Sequence, residues 1–485
     1  MMNKSPNKKY FFNAVIVVLI MTLFRFLPPF GSMTSLGMTI LGIFLGALWG
    51  WINCDLIWPS VLAITMAGMT GYFEGGVAAA FTSAISQPTL QLILWLCVFS
   101  AVLTITGISN QLANRLISSK MCNGHPWTLS VAIFLITLIC SSFGAGFAAI
   151  LVSWEFVYTI AKEAGYTRKD KWPRMMIVGV IVANALGGVM MPFIVGVVAT
   201  YGYLATASEG VVASYNYMAY LVFSLSICIC STAVYFLANR VFIRPDLSKL
   251  KDDINVGLVQ PFTQQQKIAI GGLAALIVVT VLPSCLPACG LKTVLNNLGT
   301  TTMILILICI LTFLRTKDGK PIFTFKELAN NGIFWPMMFM VATAITMGGV
   351  LANQQCGFTA TLVNVFSPLF EGKSPVVFIV FVIIFTTVLT NVVNNAVAGA
   401  IMVPLMYSFA TKIGANPILI TGLICFASNM GILLPCASPS GAMLASNKEW
   451  VNMGDIFKYG LIGIVSIVLI LILVGIPVGG MLFAI

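Results

Sequence analysis

The sequence predicts an all-α polytopic membrane protein, and three observations lead to that fold class. Of the 485 residues, 59% are hydrophobic and only 8% are charged, with a mean hydropathy of +1.01, whereas soluble domains carry about 25% charged residues. Many continuously apolar stretches reach the length that spans a bilayer as a helix. Two of these stretches are interrupted by polar clusters, one in each half of the chain. We therefore expect about 11 transmembrane helices plus two re-entrant hairpins.

The apolar stretches place the elements along the chain. Segments 128–160 and 375–410 are too long for one crossing and contain the polar clusters, so each is interpreted as a membrane helix plus a re-entrant hairpin. Segment 73–88 is short and rich in Gly, Ala and Ser, a composition that suits the membrane interface. The expected spans lie near 11–28, 36–53, 56–72, 89–107, 128–160, 175–204, 213–242, 267–284, 297–314, 333–352, 375–410, 417–445 and 457–484.

Positive charge is concentrated in loops. The net charge is +11, and the basic residues gather at 4–9, 162–174, 240–251 and 315–326. Because loops rich in Lys and Arg stay in the cytoplasm, the pattern indicates a multi-pass protein of the cytoplasmic membrane with a cytoplasmic N-terminus, and it disfavours nucleic acid as a partner. The single histidine, His125, argues against a histidine-based metal centre and against a Ser–His–Asp enzyme.

The two halves of the chain contain parallel phrases. Residues 136–152 and 388–404 both interrupt an apolar run with small and polar residues, and each is followed by a Gly-x-x-x-Pro phrase. Paired, broken hydrophobic segments in corresponding positions are the best sequence indication of a secondary transporter and its binding site. The predicted organisation is a first half, a cytoplasmic linker and a second half, at 1–243, 244–267 and 268–485.

The polar cluster of the second half is the stronger indication of a binding site. Four of the six residues at 390–395 are polar and lie in a segment at lipid depth: Thr390, Asn391, Asn394 and Asn395. Unsatisfied polar groups at that depth cost several kcal/mol. An Asn side chain offers an oxygen to a cation and N–H groups to a carboxylate, and a broken helix frees carbonyls that suit Na⁺. The alternative is a set of hydrogen bonds between helices without a ligand.

Two further stretches are candidates for the same site. Residues 141–146 (SSFGAG) contain two hydroxyls and two glycines, and glycine permits a positive φ and close approach at a hairpin tip. The alternative there is a small-residue contact between helices.

Residues 437–441 (ASPSG) contain Pro439, which lacks a backbone donor and frees an upstream carbonyl inside a helix. The alternative is a plain proline kink.

One carboxylate lies within an apolar run. Glu155 follows the first polar cluster, and an intramembrane carboxylate is by default a functional candidate that relays protons or pairs with a cation. Because Lys162 and Glu163 follow two turns later, a position at the cytoplasmic interface is an equal alternative.

These motifs resemble those of the divalent anion:sodium symporter family, within the ion-transporter superfamily. The resemblance covers most of the chain and rests on both hairpins, on residues 437–439 and on the early segment 41–60. In that family each hairpin tip carries a Ser-Asn-Thr motif that binds carboxylate and sodium. In this sequence, 394–396 (NNA) retains the central Asn, and 142–144 (SFG) retains only the Ser. The positions of the family's upstream sodium ligands correspond to Thr390 and Leu138 in this sequence.

The resemblance implies a scaffold domain, a moving transport domain, elevator-type alternating access and a homodimer. We expect a secondary active transporter, not an enzyme, that moves a small organic anion together with Na⁺. A di- or tricarboxylate is the leading candidate, and no cofactor is expected besides the sodium ion. The alternatives are a proton-coupled carrier or anion exchanger that uses Glu155, a channel or receptor, and an intramembrane enzyme. The expected substrate-binding residues are Ser142, Phe143, Gly144, Asn394, Asn395, Ala396, Ser438 and Pro439, and the expected sodium ligands are Ser142, Gly144, Thr390, Asn395 and Ala437.

Overall fold

The computed structural model describes residues 8–108, 111, 125–212, 215–250, 261–287, 289–316, 318–358, 360–361, 364, 368, 374–393, 395–435 and 437–483. Within these residues the regular secondary structure is helical, apart from one isolated bridge between Arg315 and Pro321. Several helices begin at a proline, whose fixed φ and missing N–H suit the first turn.

In the first half the helices are α1 (Lys8–Leu23), α2 (Ser35–Asn53), α3 (Trp58–Gly68), α4 (Gly76–Ile85), α5 (Pro88–Thr106), α6 (Pro126–Ser142), α7 (Gly146–Glu163), α8 (Lys171–Gly187), α9 (Val195–Ala207) and α10 (Tyr217–Ala238). In the second half they are α11 (Gln264–Cys285), α12 (Gly290–Phe313), α13 (Phe325–Gly332), α14 (Trp335–Ala352), α15 (Pro375–Val392), α16 (Asn395–Lys412), α17 (Pro417–Ser428), α18 (Pro439–Ser446), α19 (Met453–Ile470) and α20 (Ile476–Leu482).

Glycines at four-residue spacing let α1 and α2 pack closely. A Cβ added at Gly42 would lie 2.1 Å from Phe24 Cβ, and one at Gly46 would lie 2.4 Å from Met21 Cγ. Small residues on one helix face allow this approach of two membrane helices. Helix α14 of the second half packs against α2 and α3 of the first, and α13 packs against α5. The two halves are therefore interleaved in space.

Each segment that we interpreted as a membrane helix plus a hairpin is a single pair of helices. Helices α6 and α7 have 17 and 18 residues, and Thr137 Oγ1 donates to Ser153 Oγ at 2.7 Å. These two residues are equally far from Ala145, so the pair is antiparallel and turns at 143–145. In the second pair, α15 ends at Val392 and α16 begins at Asn395. In each segment two helices take up nearly the whole length, so the structure shows a helix pair where the sequence predicted a membrane helix plus a hairpin.

Two long predicted spans are broken where we expected breaks. The span at 175–204 divides into α8 and α9, which are separated by 188–194, and the span at 417–445 divides into α17 and α18, which are separated by 429–438. Helix α8 packs against α6 and α7, whereas α17 packs against α15 and α16. Each broken span therefore lies beside one helix pair.

The two helix pairs open toward opposite ends of the molecule. At one end, Asn447 Nδ2 donates to Tyr158 OH at 2.6 Å, which joins the end of α18 to α7. The Arg174–Asp455 ion pair (2.6 Å) joins the first turns of α8 and α19 at the same end. At the other end, Tyr201 OH donates to Ile418 O at 3.1 Å, which joins α9 to the start of α17.

Five helices among the described residues are long and apolar enough to cross a membrane: α2, α5, α10 with its extension to Ile243, α15, and α19 continued to Leu482. Helices α13 and α14, bent by 66° at their junction, count as a sixth if they form one span. The sequence-based figure of about 11 crossings stays a prediction. Helix α11 begins at Gln264, inside the segment predicted as the linker.

Candidate functional site

Oxygen atoms converge where the second helix pair turns beside the break after α17. The Asn395 amide oxygen lies 2.9 Å from Thr390 Oγ1, 3.1 Å from Ala437 O and 3.3 Å from Ser428 O. Thr390 is fully buried, and its hydroxyl also contacts Ser428 O. These four atoms are called the oxygen cluster below. The Thr390 hydroxyl carries the one proton that belongs to them, and the Asn395 backbone N–H donates to Ala437 O at 3.1 Å. Most contacts among them therefore join two acceptors, an arrangement that a hard cation stabilises.

The first half of the chain fixes the orientation of the Asn395 amide. The Asn429 amide nitrogen donates to Ala185 O at 2.5 Å, and a backbone carbonyl only accepts. The Asn429 oxygen must then face Asn395, whose nitrogen donates to it at 3.2 Å. If the Asn395 amide had the opposite orientation, its N–H groups would point into the oxygen cluster, but its oxygen would lie 3.2 Å from the Asn429 amide oxygen. The Asn395 oxygen therefore points into the cluster.

Two side chains hold the unwound segment around the cluster. Asn391 donates to Met430 O at 3.0 Å and accepts from the N–H groups of Ile432 and Leu433. Ser438 donates to Gly431 O at 2.6 Å and accepts from Gly441 N, which caps α18. Asn391 and Ser438 thus brace the break. The sequence assigned Ser438 to the substrate, and the structure gives its hydroxyl these partners within the protein.

Gly431 provides the space in which the cluster forms. A Cβ on this residue would lie 2.1 Å from Asn395 Oδ1 and 2.8 Å from Thr390 O. Because Thr390 O is a backbone atom and Asn395 Oδ1 belongs to the oxygen cluster, any side chain at this position would displace the cluster, and only glycine fits here.

Four helix ends meet at the oxygen cluster. Helices α15 and α17 end there and present carbonyl groups, whereas α16 and α18 begin there. Pro439 has no N–H group, and the N–H groups of Asn395 and Gly441 donate to Ala437 O and Ser438 Oγ, so the two helix starts contribute mainly their dipoles. The C-terminal end of a helix carries partial negative charge and the N-terminal end partial positive charge. The arrangement can therefore hold a cation and an anion side by side without a charged side chain.

The tip of the first helix pair has different chemistry. Ser141 Oγ donates to Asn184 Oδ1 at 2.9 Å. Ser142, which the sequence assigned to both sodium and substrate, donates to Ile139 O within its own helix at 2.7 Å. Gly144 is exposed with φ +86°, and Phe143 is half-buried. The structure therefore joins Ser141, rather than Ser142, to the neighbouring broken span.

Hydroxyl groups of α10 donate hydrogen bonds to the backbone carbonyl oxygens at the first break. Tyr220 OH donates to Val189 O at 2.7 Å, and Ser224 Oγ donates to Met190 O at 2.6 Å. Tyr215, just before α10, donates to Pro192 O. These carbonyls have protein partners, in contrast with the acceptor-rich cluster at the second break.

The other predicted site residues have these positions. Asn394 lies outside the described residues. Ala396 lies in the first turn of α16, and Pro439 begins α18 with an exposed side chain. Glu155 lies midway along α7 and is exposed, away from the 143–145 turn.

Sequence reasoning missed two asparagines. Asn184 and Asn429 lie at the ends of α8 and α17, and each contacts the neighbouring hairpin. Their signal was an Asn shortly before the glycine that opens each break: Asn184-Ala-Leu-Gly187 and Asn429-Met-Gly431.

The chain was compared with known proteins. A family profile described as "Sodium:sulfate symporter transmembrane region" matches residues 8–485. No curated protein matches the chain. The fold is similar to that of the Alcanivorax borkumensis YdaH transporter, with a TM-score of 0.56, 11% identity and coverage of 98% of both chains. It is also similar to Neisseria gonorrhoeae MtrF, described among antimetabolite efflux pumps, with a TM-score of 0.54, 10% identity and coverage of 98% of this chain and 95% of that one.

Proposed function

The chain belongs to the sodium:sulfate symporter family, and from that premise we propose that it is a sodium-coupled symporter of a small organic anion. The family and the fold are those of multi-pass membrane transporters and not of enzymes. The membership also confirms the resemblance that the hairpin motifs indicated. The finer assignments, of coupling ion, substrate and mechanism, depend on the geometry of the site.

The oxygen cluster carries the proposal. Thr390 Oγ1, Asn395 Oδ1 and two carbonyls approach each other closely, and Asn395 Oδ1 lies within 3.3 Å of both carbonyl oxygens although all three are acceptors. Hard cations are bound by such sets of oxygens, and secondary transporters bind Na⁺ with unwound carbonyls at helix ends. We assign Na⁺ to this cluster, with Thr390, Asn395 and Ala437 as sequence-predicted ligands and the Ser428 carbonyl as an added one.

The anion is assigned to the adjoining helix starts. Helices α16 and α18 begin beside the cluster with Asn395 and Pro439, and positive helix ends attract anionic groups. A bound Na⁺ would lower the electrostatic cost of a nearby carboxylate or sulfate. That effect couples the two solutes without a basic side chain in either tip.

The opposite openings of the helix pairs support an inverted-repeat architecture. The α6–α7 pair opens toward Asn447, whereas the α15–α16 pair continues into α17 at the end marked by Tyr201. Inverted repeats with a site between them permit alternating access. We propose an elevator-type motion and a homodimer on the family resemblance, in the cytoplasmic membrane with the N-terminus inside on the loop charges.

Uptake into proteoliposomes tests the proposed function. Radiolabelled mono-, di- and tricarboxylates and sulfate are offered with an inward Na⁺ gradient, and K⁺ or choline replaces Na⁺ in matched controls. We expect sodium-driven accumulation of at least one anion above its external concentration. Equal uptake without Na⁺ would reject sodium coupling, and equilibration without accumulation would indicate a channel.

Replacing Thr390 tests the cation site directly. Thr390→Ala removes one oxygen of the cluster, so we expect the Na⁺ concentration for half-maximal uptake to rise about tenfold, equivalent to about 1.4 kcal/mol. Thr390→Ser retains the hydroxyl and serves as the matched control. Unchanged sodium dependence in Thr390→Ala would make the residue structural only.

Glu155→Gln separates the proposal from its alternative. If protons couple transport through Glu155, this variant loses the pH dependence of uptake. We expect no such loss, because the Glu155 side chain is exposed midway along α7 and the oxygen cluster is formed by other helices.

A further inference from the structure

We propose that the substrate is a small monoanion with a short apolar group, such as a short-chain monocarboxylate, and not a di- or tricarboxylate. This inference rests on the proposed function, and it assigns the substrate class of the same site. It follows from the difference between the two walls that the hairpin tips form. The wall at Asn395 is polar, whereas the wall at Phe143 is apolar.

The donors of the first tip are used within the hairpin. The Gly144 and Ala145 N–H groups donate to Ser141 O and Cys140 O, both at 3.1 Å. The Ser142 hydroxyl donates to Ile139 O. A second carboxylate of a substrate would have to displace these bonds. The side chain at the tip itself, Phe143, offers no hydrogen bond.

A small apolar cavity lies at this tip. It measures about 40 Å³ and is closed on the opposite side by α5 and α11. A Cβ at Gly144 would lie 2.9 Å from Ser100 Cβ, so the tip rests directly on α5. The described residues that line the cavity include no charged side chain, and its aromatic members are Phe99, Phe143 and Phe193.

The size of the cavity suits a short aliphatic group. A single water needs roughly 10–15 Å³, so the space holds a group of only a few heavy atoms. The polar side chains among the described lining residues are Ser100 and Ser142, and both hydroxyls donate to carbonyls of their own helices. A carboxylate placed there would lose its hydration and would have to displace these bonds, a cost that disfavours it. An alkyl group would instead gain contacts with the aromatic side chains.

The apolar and polar walls are connected by a short chain of contacts. Ser141, next to the first tip, bonds to Asn184, and the following residue, Ala185, accepts from Asn429. Asn429 in turn bonds to Asn395. The segment after α8 then runs to Phe193 in the cavity wall. The two walls are therefore linked through these residues, and we place the carboxylate at the helix starts and the alkyl group in the apolar cavity.

Calorimetric binding to the full-length protein in detergent tests the substrate class. The probes are pairs with equal numbers of carbon atoms: butyrate with succinate, and valerate with glutarate, each with and without Na⁺. Inorganic sulfate serves as a dianion without an apolar group. Binding in detergent avoids the passive leak of protonated monocarboxylates across a bilayer. We expect butyrate to bind at least about tenfold more tightly than succinate, and only with Na⁺.

Variants at the tip test whether the cavity causes the preference. Phe143→Asn introduces a polar group, and we expect it to weaken butyrate binding and to reduce the preference for butyrate over succinate to about twofold or less. Phe143→Leu keeps the wall apolar and should retain the preference. Phe147→Asn introduces the same amide at an exposed position of the hairpin that does not line the cavity, so it should also retain the preference.

The outcomes separate this inference from the proposed function. Succinate or sulfate binding as tightly as butyrate, with Na⁺ required, would overturn the monoanion assignment and leave the symporter proposal intact. A butyrate preference that persists in Phe143→Asn would overturn the role of the cavity. Failure of all the anions to bind, together with failure of sodium-driven uptake, would reject the proposed function and this inference with it.

Discussion

The carbonyl groups freed at the two helix breaks have different partners. After α8, hydroxyls of Tyr220 and Ser224 donate to the carbonyls of Val189 and Met190. After α17, the Ser428 and Ala437 carbonyls each have a protein donor, and both also lie within 3.3 Å of Asn395 Oδ1, which is itself an acceptor. Carbonyls that meet only donors have little to offer a cation, whereas oxygens held close to a further acceptor gain from one. The comparison teaches that the two halves share an architecture of breaks but differ in chemistry, and it favours a single Na⁺ site in the second half.

Removing the Asn395 side chain should have the largest effect. Asn395→Ala deletes the oxygen at the centre of the cluster and leaves Asn429 without its partner, so we expect no measurable uptake and no stabilisation by Na⁺ in thermal unfolding. Asn184→Ala is the matched change at the first break. It removes one hydrogen bond from Ser141 and should cost about 1 kcal/mol of stability with sodium dependence intact. Equal loss of sodium dependence in both variants would indicate two equivalent cation sites.

A methyl group at Gly431 should have the next largest effect. Its Cβ would overlap Asn395 Oδ1 at 2.1 Å, and overpacking of this kind costs about 1–3 kcal/mol. Applied to the cation-bound state, that cost weakens Na⁺ affinity roughly ten- to hundredfold. Gly196→Ala is the control at the start of α9, since its nearest atom, Gly188 O, is 3.6 Å away. Sodium-dependent uptake by Gly431→Ala at the wild-type level would remove the cluster from the mechanism.

Freeing the Asn395 amide should have a moderate effect. Asn429→Ala removes the side chain that keeps the Asn395 oxygen directed into the cluster. The amide can then rotate and satisfy the carbonyls with its own N–H groups, which competes with Na⁺. We expect the half-maximal Na⁺ concentration to rise about fivefold, or about 1 kcal/mol, with maximal uptake retained at saturating Na⁺. A lower maximal rate with unchanged sodium affinity would contradict this positioning role.

Sequence reasoning found the positions of the breaks and the second tip, but not the partners across them. Apolar runs interrupted by Asn, Gly and Pro are local signals, so Thr390, Asn395 and Ala437 were identified. The Ser428 carbonyl and Asn429 reach the site only through tertiary packing. The motif register predicts Ser142, whereas the structure bonds the Ser141 hydroxyl to the neighbouring helix, because a motif does not state which hydroxyl faces that helix. The family profile confirmed the resemblance, although each tip retains one residue of the motif.

Removing a hydroxyl from α10 should have the smallest effect on transport. Tyr220→Phe takes away the donor to Val189 O while keeping the buried ring. The carbonyl is left unsatisfied, so thermal unfolding in detergent should show a loss of about 1–3 kcal/mol. The half-maximal Na⁺ concentration should not change, because the oxygen cluster lies at the other break. A gain of a second sodium dependence in this variant would be equally informative. It would show that the hydroxyls of α10, rather than the backbone conformation, keep a cation out of the first break. The difference between the two halves would then depend on those side chains.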